Sequence, residues 1–159
     1  MVIMKKSFLV FFSLIILLGA TSWVYDKPKP AITNVHEHIE SLKKSKDLLR
    51  AMRSTGIRRT VLLPSPIETI TLNGNKSFTG YEENMEEILR IAEIYPDDFI
   101  PFCTISPLDP DPLALFKRCI ERGGKGLKLY NGHSYYYNIF GVPLDSPLMM
   151  PLYAYAEQE

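Results

Sequence analysis

Two histidines separated by one residue are the strongest chemical signal in this sequence. His36 and His38 follow a short apolar run that begins at Ile32. Alternate residues of a β-strand point to the same face, so an extended backbone directs both imidazoles to one side and Glu37 to the other. Neutral imidazole nitrogens are ligands for zinc, iron, manganese and nickel. The pair therefore predicts a metal site. Because two side chains leave a metal under-coordinated, further ligands must come from elsewhere in the fold.

The elements that must hold this pair form a repeating strand–helix pattern. The predicted strands are Ile32–His36, Arg59–Leu63, Phe99–Ile105 and Gly126–Tyr130. The predicted helices begin at Ser41, at a capping box formed by Thr79 and Glu82, at Asp111-Pro112 and at Ser146-Pro147. This order implies a parallel sheet, since parallel neighbours need a crossover and a helix is the usual one. An open doubly wound sheet and the first half of an eight-stranded barrel both satisfy the pattern.

The last predicted helix ends without the usual stop signals. Glu157 and Glu159 lie in its final turn, where the helix dipole disfavours negative charge, and neither Gly nor Pro follows. An eight-stranded barrel typically needs about 250 residues. We therefore expect a truncated sequence, with a natural, fraying C-terminal helix as the alternative.

The first 25 residues differ in character from the rest. Lys5 and Lys6 precede a largely apolar stretch from Phe8 to Ala20 that contains no charged residue. A charged start, an apolar stretch and a small residue at its end predict a cleaved signal peptide, with a retained membrane anchor as the alternative. Residues 26–30 alternate Pro and Lys and are typical of a linker. The folded domain is then 31–159, and the protein is expected to be exported, to the periplasm or outside the cell, or membrane-anchored.

Composition excludes some partners. Lys and Arg together number 18, as do Asp and Glu, and no basic patch stands out, so nucleic acid is not an expected partner.

The two cysteines, Cys103 and Cys119, lie in apolar surroundings. Such cysteines often behave as small core residues, so we predict two free thiols and no disulfide.

A family resemblance rests on two motifs. One is the His-x-His pair at the end of an early strand, and the other is the segment Gly124-Lys-Gly-Leu-Lys-Leu-Tyr130. Followed by strand–helix repeats, they resemble the amidohydrolase superfamily, most of all its amidohydrolase-related group of TIM-barrel hydrolases. The stretch Lys128-Leu129-Tyr130, with a histidine shortly after it, is also similar to dihydroorotases. The resemblance to the superfamily covers residues 31–159. It implies an α/β fold: the N-terminal half of a TIM-type barrel, about four βα units, preceded by a hydrophobic signal or anchor helix.

The resemblance also implies a site at the C-terminal mouth of the barrel. His36 and His38 correspond to ligands of a divalent metal, with zinc as the first choice, and further ligands come from strands five, six and eight. Lys128 corresponds to the carboxylated lysine that bridges two metals in binuclear relatives, with an ordinary rim lysine as the alternative. His133 is a catalytic candidate and Tyr130 a substrate-binding candidate, although the tyrosines after Gly132 also suit simple packing of a loop.

The expected activity follows from this site. A bound divalent ion lowers the pKa of its water from 15.7 to about 7 and polarises a carbonyl, which suits hydrolysis of a C–N or C–O bond in a small-molecule substrate. The chain alone is expected to be inactive, because its ligand set is incomplete. Two alternatives stay open: a decarboxylase or other lyase on the same barrel, and a non-catalytic, membrane-associated binding domain.

Overall fold

The computed structural model describes residues 31–71 and 77–159. The strands are β1 (Ile32–Glu37), β2 (Ile57–Leu62), β3 (Phe99–Pro101), β4 (Cys103–Thr104) and β5 (Leu127–Lys128). The helices are α1 (Leu42–Thr55), α2 (Ile67–Thr71), α3 (Tyr81–Ile94), α4 (Pro112–Glu121), α5 (Ser134–Phe140) and α6 (Met150–Gln158), the last preceded by a 3-10 turn at Pro147–Met149. The predicted signal or anchor segment and the linker lie outside the described residues.

All strand pairs are parallel, as the strand–helix pattern predicts. Strands β1, β2 and β3 form one sheet in that order, and β4 pairs with β5 in a second sheet. The third predicted strand is therefore split in two. Its backbone changes partner at Phe102, whose N–H donates to the Leu62 carbonyl, whereas the next N–H, of Cys103, donates to the Gly126 carbonyl.

The order of the strands bears on the two architectures that the sequence left open. Because consecutive N–H groups of an extended chain point to opposite sides, the segment Phe99–Thr104 lies between β2 and β5. Neighbours in space are thus neighbours in the chain. A doubly wound sheet reverses its strand order at a switch point, so the observed order favours the barrel type.

Two helix ends carry residues that are typical of a helix stop and a helix start. Helix α1 ends at Gly56, whose φ of 76° is the left-handed conformation that glycine adopts at least cost. Helix α4 begins after Asp111, whose side chain accepts a hydrogen bond from the Ala114 N–H at 2.9 Å, with Pro112 in the first turn.

The predicted capping box at Thr79 and Glu82 is wrong. Helix α3 begins one residue later than the box requires, with Gly80 as N-cap at a φ of 71° and no side-chain cap. The Thr79 hydroxyl instead donates to the Glu68 carboxylate at 2.8 Å. A tertiary partner has therefore taken the hydroxyl that the local motif would use.

Two short helices were not predicted. One is α2, and the other is α5, which occupies most of the segment expected to be a loop after β5. His133 is the N-cap of α5, since its Nδ1 accepts a hydrogen bond from the Tyr135 N–H at 3.3 Å. Gly141 ends the helix with a φ of 62°.

The prediction of two free cysteines is wrong. Cys103 on β4 and Cys119 on α4 form a disulfide in which both residues are almost fully buried. The spacing of 16 residues brings a strand residue under the helix that follows it, with a Cα–Cα distance of 6.0 Å. Gly124 covers the bridge: a Cβ placed there would lie 2.3 Å from the Cys103 sulfur.

Two clusters of buried side chains make up the core. One joins α1, α3 and the first sheet around Met52, Leu62 and Ile88. The other contains side chains from α3, α4, α5 and α6 and surrounds the disulfide. Within residues 31–71 and 77–159, no helix is both long enough and apolar enough to cross a membrane.

Candidate active site

The two histidines of the His-x-His motif lie together at the end of β1. Their Nε2 atoms are 2.9 Å apart and their ring centroids 4.8 Å apart. Both rings therefore leave the same side of the extended segment, which confirms the geometric part of the prediction. His36 is exposed and His38 is half-buried.

The contacts of His38 Nδ1 favour one position for the ring proton. Its Nδ1 lies 3.0 Å from the carbonyl oxygen of Leu63, at the end of β2. A carbonyl oxygen only accepts, so this contact favours a proton on Nδ1 and, in the neutral ring, a lone pair on Nε2. Burial lowers the pKa of His38, against the Leu63 carbonyl bond that raises it, and the charges of His36 and Lys128 lower it further. The neutral, ligand form is thereby favoured at neutral pH.

Two hydroxyl groups lie behind the His38 ring. Ser65 is fully buried, and its Oγ is hydrogen-bonded to His38 Nδ1 and lies 2.8 Å from the hydroxyl of Tyr130. The Pro64 carbonyl oxygen lies 3.3 Å from the same hydroxyl. Burial raises the pKa of Tyr130 to about 12, although the Ser65 bond lowers it. The phenol is therefore protonated at neutral pH.

Asn84 on α3 holds the segments that follow β1 and β2. Its Oδ1 accepts from the Ser65 N–H at 2.9 Å, and its Nδ2 donates to the carbonyls of Ile39 at 2.9 Å and Glu40 at 3.2 Å. The sequence analysis missed this residue. Its signal was a polar side chain one residue before Met85, on the face of the helix that also buries Tyr81 and Ile88.

One cavity of about 680 Å³ collects all of the predicted site residues. Its lining includes His36, His38, Lys128, Tyr130 and His133, together with Glu68, Thr69, Leu129, Gly132, Tyr135 and Tyr136. The structure thus brings together side chains that are almost 100 residues apart in the chain.

The two cationic candidates differ in their surroundings. Lys128 is half-buried, with its Nζ 4.9 Å from the centre of the Tyr130 ring, and burial lowers its pKa. His133 is exposed, and its Nδ1 serves the N-terminus of α5, so Nε2 is the nitrogen that this cap leaves for the cavity. The Tyr130 hydroxyl is directed at Ser65 and Pro64, so the ring rather than the hydroxyl lines the cavity.

Glu68, which the sequence analysis did not single out, is a buried carboxylate in the cavity wall. It accepts hydrogen bonds from the hydroxyls of Ser77 and Thr79 and from the Thr79 N–H. Burial raises its pKa, but these hydrogen bonds lower it by more, so the net shift is downward. The carboxylate anchors the segment before α3 to α2.

The donor set fits a metal ion in part. Two Nε2 atoms that converge on one cavity, one of them with its tautomer set by a carbonyl, are suited to a divalent ion. Among the described residues, no group of three or more His, Cys, Asp or Glu side chains could hold a metal ion. The remaining coordination positions therefore need other ligands, such as water or substrate.

Comparison with known proteins gives matches among solved structures alone. No protein-family profile matches the chain, and no curated protein does. A 2,6-dihydroxybenzoate decarboxylase from Rhizobium matches with a TM-score of 0.43 and 15% identity over 76% of this chain and 53% of that one. A 5-carboxyvanillate decarboxylase from Novosphingobium aromaticivorans, with bound manganese, matches with a TM-score of 0.42 and 17% identity over 72% of this chain and 48% of that one.

Both neighbours are named as decarboxylases. The chain spans about half the length of each neighbour.

Proposed function

We propose that residues 31–159 carry part of a metal-dependent enzyme site in which His36 and His38 bind a divalent cation, with zinc as the first choice. The observation that carries the proposal is the pair of Nε2 atoms 2.9 Å apart at the mouth of the parallel strands. Active sites of barrel enzymes lie at this end of the strands. The Leu63 carbonyl supports it, since metal-binding histidines usually donate their second N–H to such a group.

The reaction we propose is hydrolysis of a C–N or C–O bond in a small molecule. The bound cation would supply an activated water at neutral pH and polarise the bond to be cleaved. His38 is held neutral and ready to bind by its burial. The Lys128 ammonium, beside the Tyr130 ring, is placed to attract a negatively charged group of the substrate.

Decarboxylation is the second candidate, and one feature of the cavity favours it. The rings of Tyr130, Tyr135 and Tyr136 line the cavity beside the cation of Lys128. An apolar wall next to one positive charge suits a flat, ring-bearing carboxylate. Such a substrate would be held by its ring and its carboxylate, which is the group that a decarboxylase removes.

Metal binding is the first test. The full chain, freed of metal by chelation, is titrated with Zn²⁺ and with Mn²⁺, and the bound metal is measured by mass spectrometry. We expect the double variant His36→Ala, His38→Ala to bind the metal at least about tenfold more weakly than the wild type, because both imidazole ligands are gone. The matched control is His133→Ala, which removes the third histidine from the same cavity and should keep its metal. Equal metal content in the wild type and the double variant refutes the proposal and favours a non-catalytic binding domain.

The reaction class is tested separately, on the longest form of the protein that its gene encodes. Candidate amides, esters and aromatic carboxylates are offered with Zn²⁺ or Mn²⁺, and released carbon dioxide is trapped. Carbon dioxide that depends on His36 and His38 supports a decarboxylase. Amine, alcohol or acid products without carbon dioxide support a hydrolase.

We also infer that the protein matures in an oxidising compartment, by export or while anchored in a membrane. The Cys103–Cys119 disulfide supports this, since such bonds persist mainly outside the reducing cytosol. Alkylation and mass spectrometry on cell fractions test it. A pool of protein in the exported or membrane fraction with both thiols oxidised is expected, and a reduced cytosolic pool contradicts it.

A further inference from the structure

The hydroxyl groups behind His38 form a chain that the metal proposal does not use. Tyr130, in the segment after β5, contacts Ser65, which follows β2, and Ser65 contacts His38, which follows β1. Ser65 and Tyr130 are both buried. Side chains from three strand ends are therefore hydrogen-bonded in series, and the last of them faces the cavity.

We propose that Ser65 and Tyr130 are positioning residues, which hold the His38 ring as the Nδ1–H tautomer with Nε2 directed into the cavity. The inference deepens the proposed function and rests on it only for the identity of the ligand. Neither hydroxyl needs to touch a substrate. Tyr130, predicted from the sequence to bind substrate, thereby receives a different role for its hydroxyl, while its ring still lines the cavity.

The donors and acceptors around Ser65 support one proton arrangement. The Leu63 carbonyl accepts from His38 Nδ1 at 3.0 Å and from the Ser65 hydroxyl at 3.1 Å. With its own proton directed at that carbonyl, Ser65 Oγ presents lone pairs to His38 Nδ1–H and to the Tyr130 hydroxyl. Each polar group in the series then has a partner.

Loss of the Tyr130 hydroxyl would disturb this arrangement at its buried end. Ser65 would lose the donor at 2.8 Å and its hydroxyl could rotate to donate to Nδ1 of the other tautomer. In that tautomer the proton sits on Nε2 and blocks the lone pair that a metal needs. Loss of the Ser65 hydroxyl removes the direct contact and should have the larger effect.

The matched control is Tyr136. It is as buried as Tyr130, its ring packs against the Tyr130 ring with centroids 5.1 Å apart, and its hydroxyl is bonded to Thr69 rather than to Ser65. Tyr136→Phe and Tyr130→Phe therefore remove the same atom from the same aromatic cluster. If the hydroxyl contributes only to stability, both variants should be affected. If it positions the His38 ring, only Tyr130→Phe should change that ring.

The experiment reads the tautomer directly. The full chain contains three histidines, so its ¹⁵N-labelled ring nitrogens give a simple long-range ¹H–¹⁵N spectrum, recorded without metal at neutral pH. We expect the Nδ1–H pattern for His38 in the wild type and in Tyr136→Phe. Ser65→Ala and Tyr130→Phe should shift toward the Nε2–H pattern. Circular dichroism checks that each variant is folded, and Tyr130→Phe, which keeps its ring, serves if Ser65→Ala does not fold.

Zn²⁺ affinity, measured by competition with a chromophoric chelator, is the second readout. Ser65→Ala should weaken binding about tenfold, in the range typical of partners that orient metal ligands, and Tyr130→Phe less than that. An unchanged His38 tautomer in both variants, or an equal shift in Tyr136→Phe, overturns the inference. If the wild type binds no Zn²⁺, the proposed function fails, whereas the tautomer spectra still decide the role of Ser65 and Tyr130.

Discussion

Removal of the Asn84 side chain should be among the most damaging single changes at the site. Asn84 is buried on α3 and makes three hydrogen bonds, all to backbone groups of the segments that follow β1 and β2. Asn84→Ala leaves the Ser65 N–H and the carbonyls of Ile39 and Glu40 without this partner. The helix itself tolerates the change, since Ala has the highest helix propensity.

The size of the effect follows from those bonds. A hydrogen bond contributes about 1 kcal/mol net, so three amount to about 3 kcal/mol. The Ser65 N–H is buried, and an orphaned buried donor places the expected loss at or above that figure. With a urea m-value of about 1.5 kcal/mol per M, the unfolding midpoint should fall by about 2 M.

The assay is urea unfolding followed by far-ultraviolet circular dichroism. Glu93→Ala is the control, because Glu93 is exposed on the same helix, and its stability should stay within about 0.5 kcal/mol of the wild type. Asn84→Asp separates the two halves of the interaction: it keeps an acceptor for Ser65 but presents a carboxylate to two carbonyl oxygens. We expect it to be no more stable than Asn84→Ala. A loss below about 1 kcal/mol in Asn84→Ala would refute the reasoning.

Three further predictions concern stability. Cys119→Ser, or reduction of the wild type, should lower the free energy of unfolding by about 3 kcal/mol, the value expected for a disulfide that closes a loop of about 15 residues. A wild-type melting curve that reductant leaves unchanged would contradict the disulfide with Cys103. Gly124→Ala should cost about 1 to 3 kcal/mol in urea unfolding because its Cβ meets the Cys103 sulfur, whereas Gly132→Ala, whose nearest neighbour is at 3.4 Å, should be tolerated. The pKa of Glu68 is lowered from 4.5 in the fold, so the stability that its carboxylate contributes is present above pH 4.5 and is lost as the pH falls below that value. The variant Glu68→Gln should therefore lose less stability than the wild type over that pH range. Parallel curves of stability against pH for the two proteins would argue against this role.

Much of the scaffold could be predicted because its signals are local. A short apolar run indicates a strand, and a helix end is marked by residues within one turn of it, such as Asp111 before α4 and Gly56 after α1. The same period-two geometry placed His36 and His38 on one side. Strand–helix repetition then required parallel strands, which the structure shows.

What the sequence did not reveal depends on tertiary contacts. The disulfide joins a strand to the helix after it, and neither cysteine carries a local mark of its partner. Thr79 has the spacing of a helix cap, but Glu68, 11 residues away, holds its hydroxyl. Asn84 is an ordinary polar residue until the fold places its Oδ1 2.9 Å from the backbone nitrogen of Ser65 behind the site.

Ser65 connects the two polar systems that shape the site. Its backbone N–H is held by Asn84, which also holds the carbonyls after β1, and its hydroxyl is held by Tyr130 from beyond β5. The His38 ring is thus oriented by a residue whose own position is set from two directions. A buried network in which each member is satisfied rigidifies its surroundings, because any rotation would leave a polar group without a partner in a low-dielectric interior. The same bonds that stabilise the ends of the strands therefore also direct an imidazole nitrogen into the cavity.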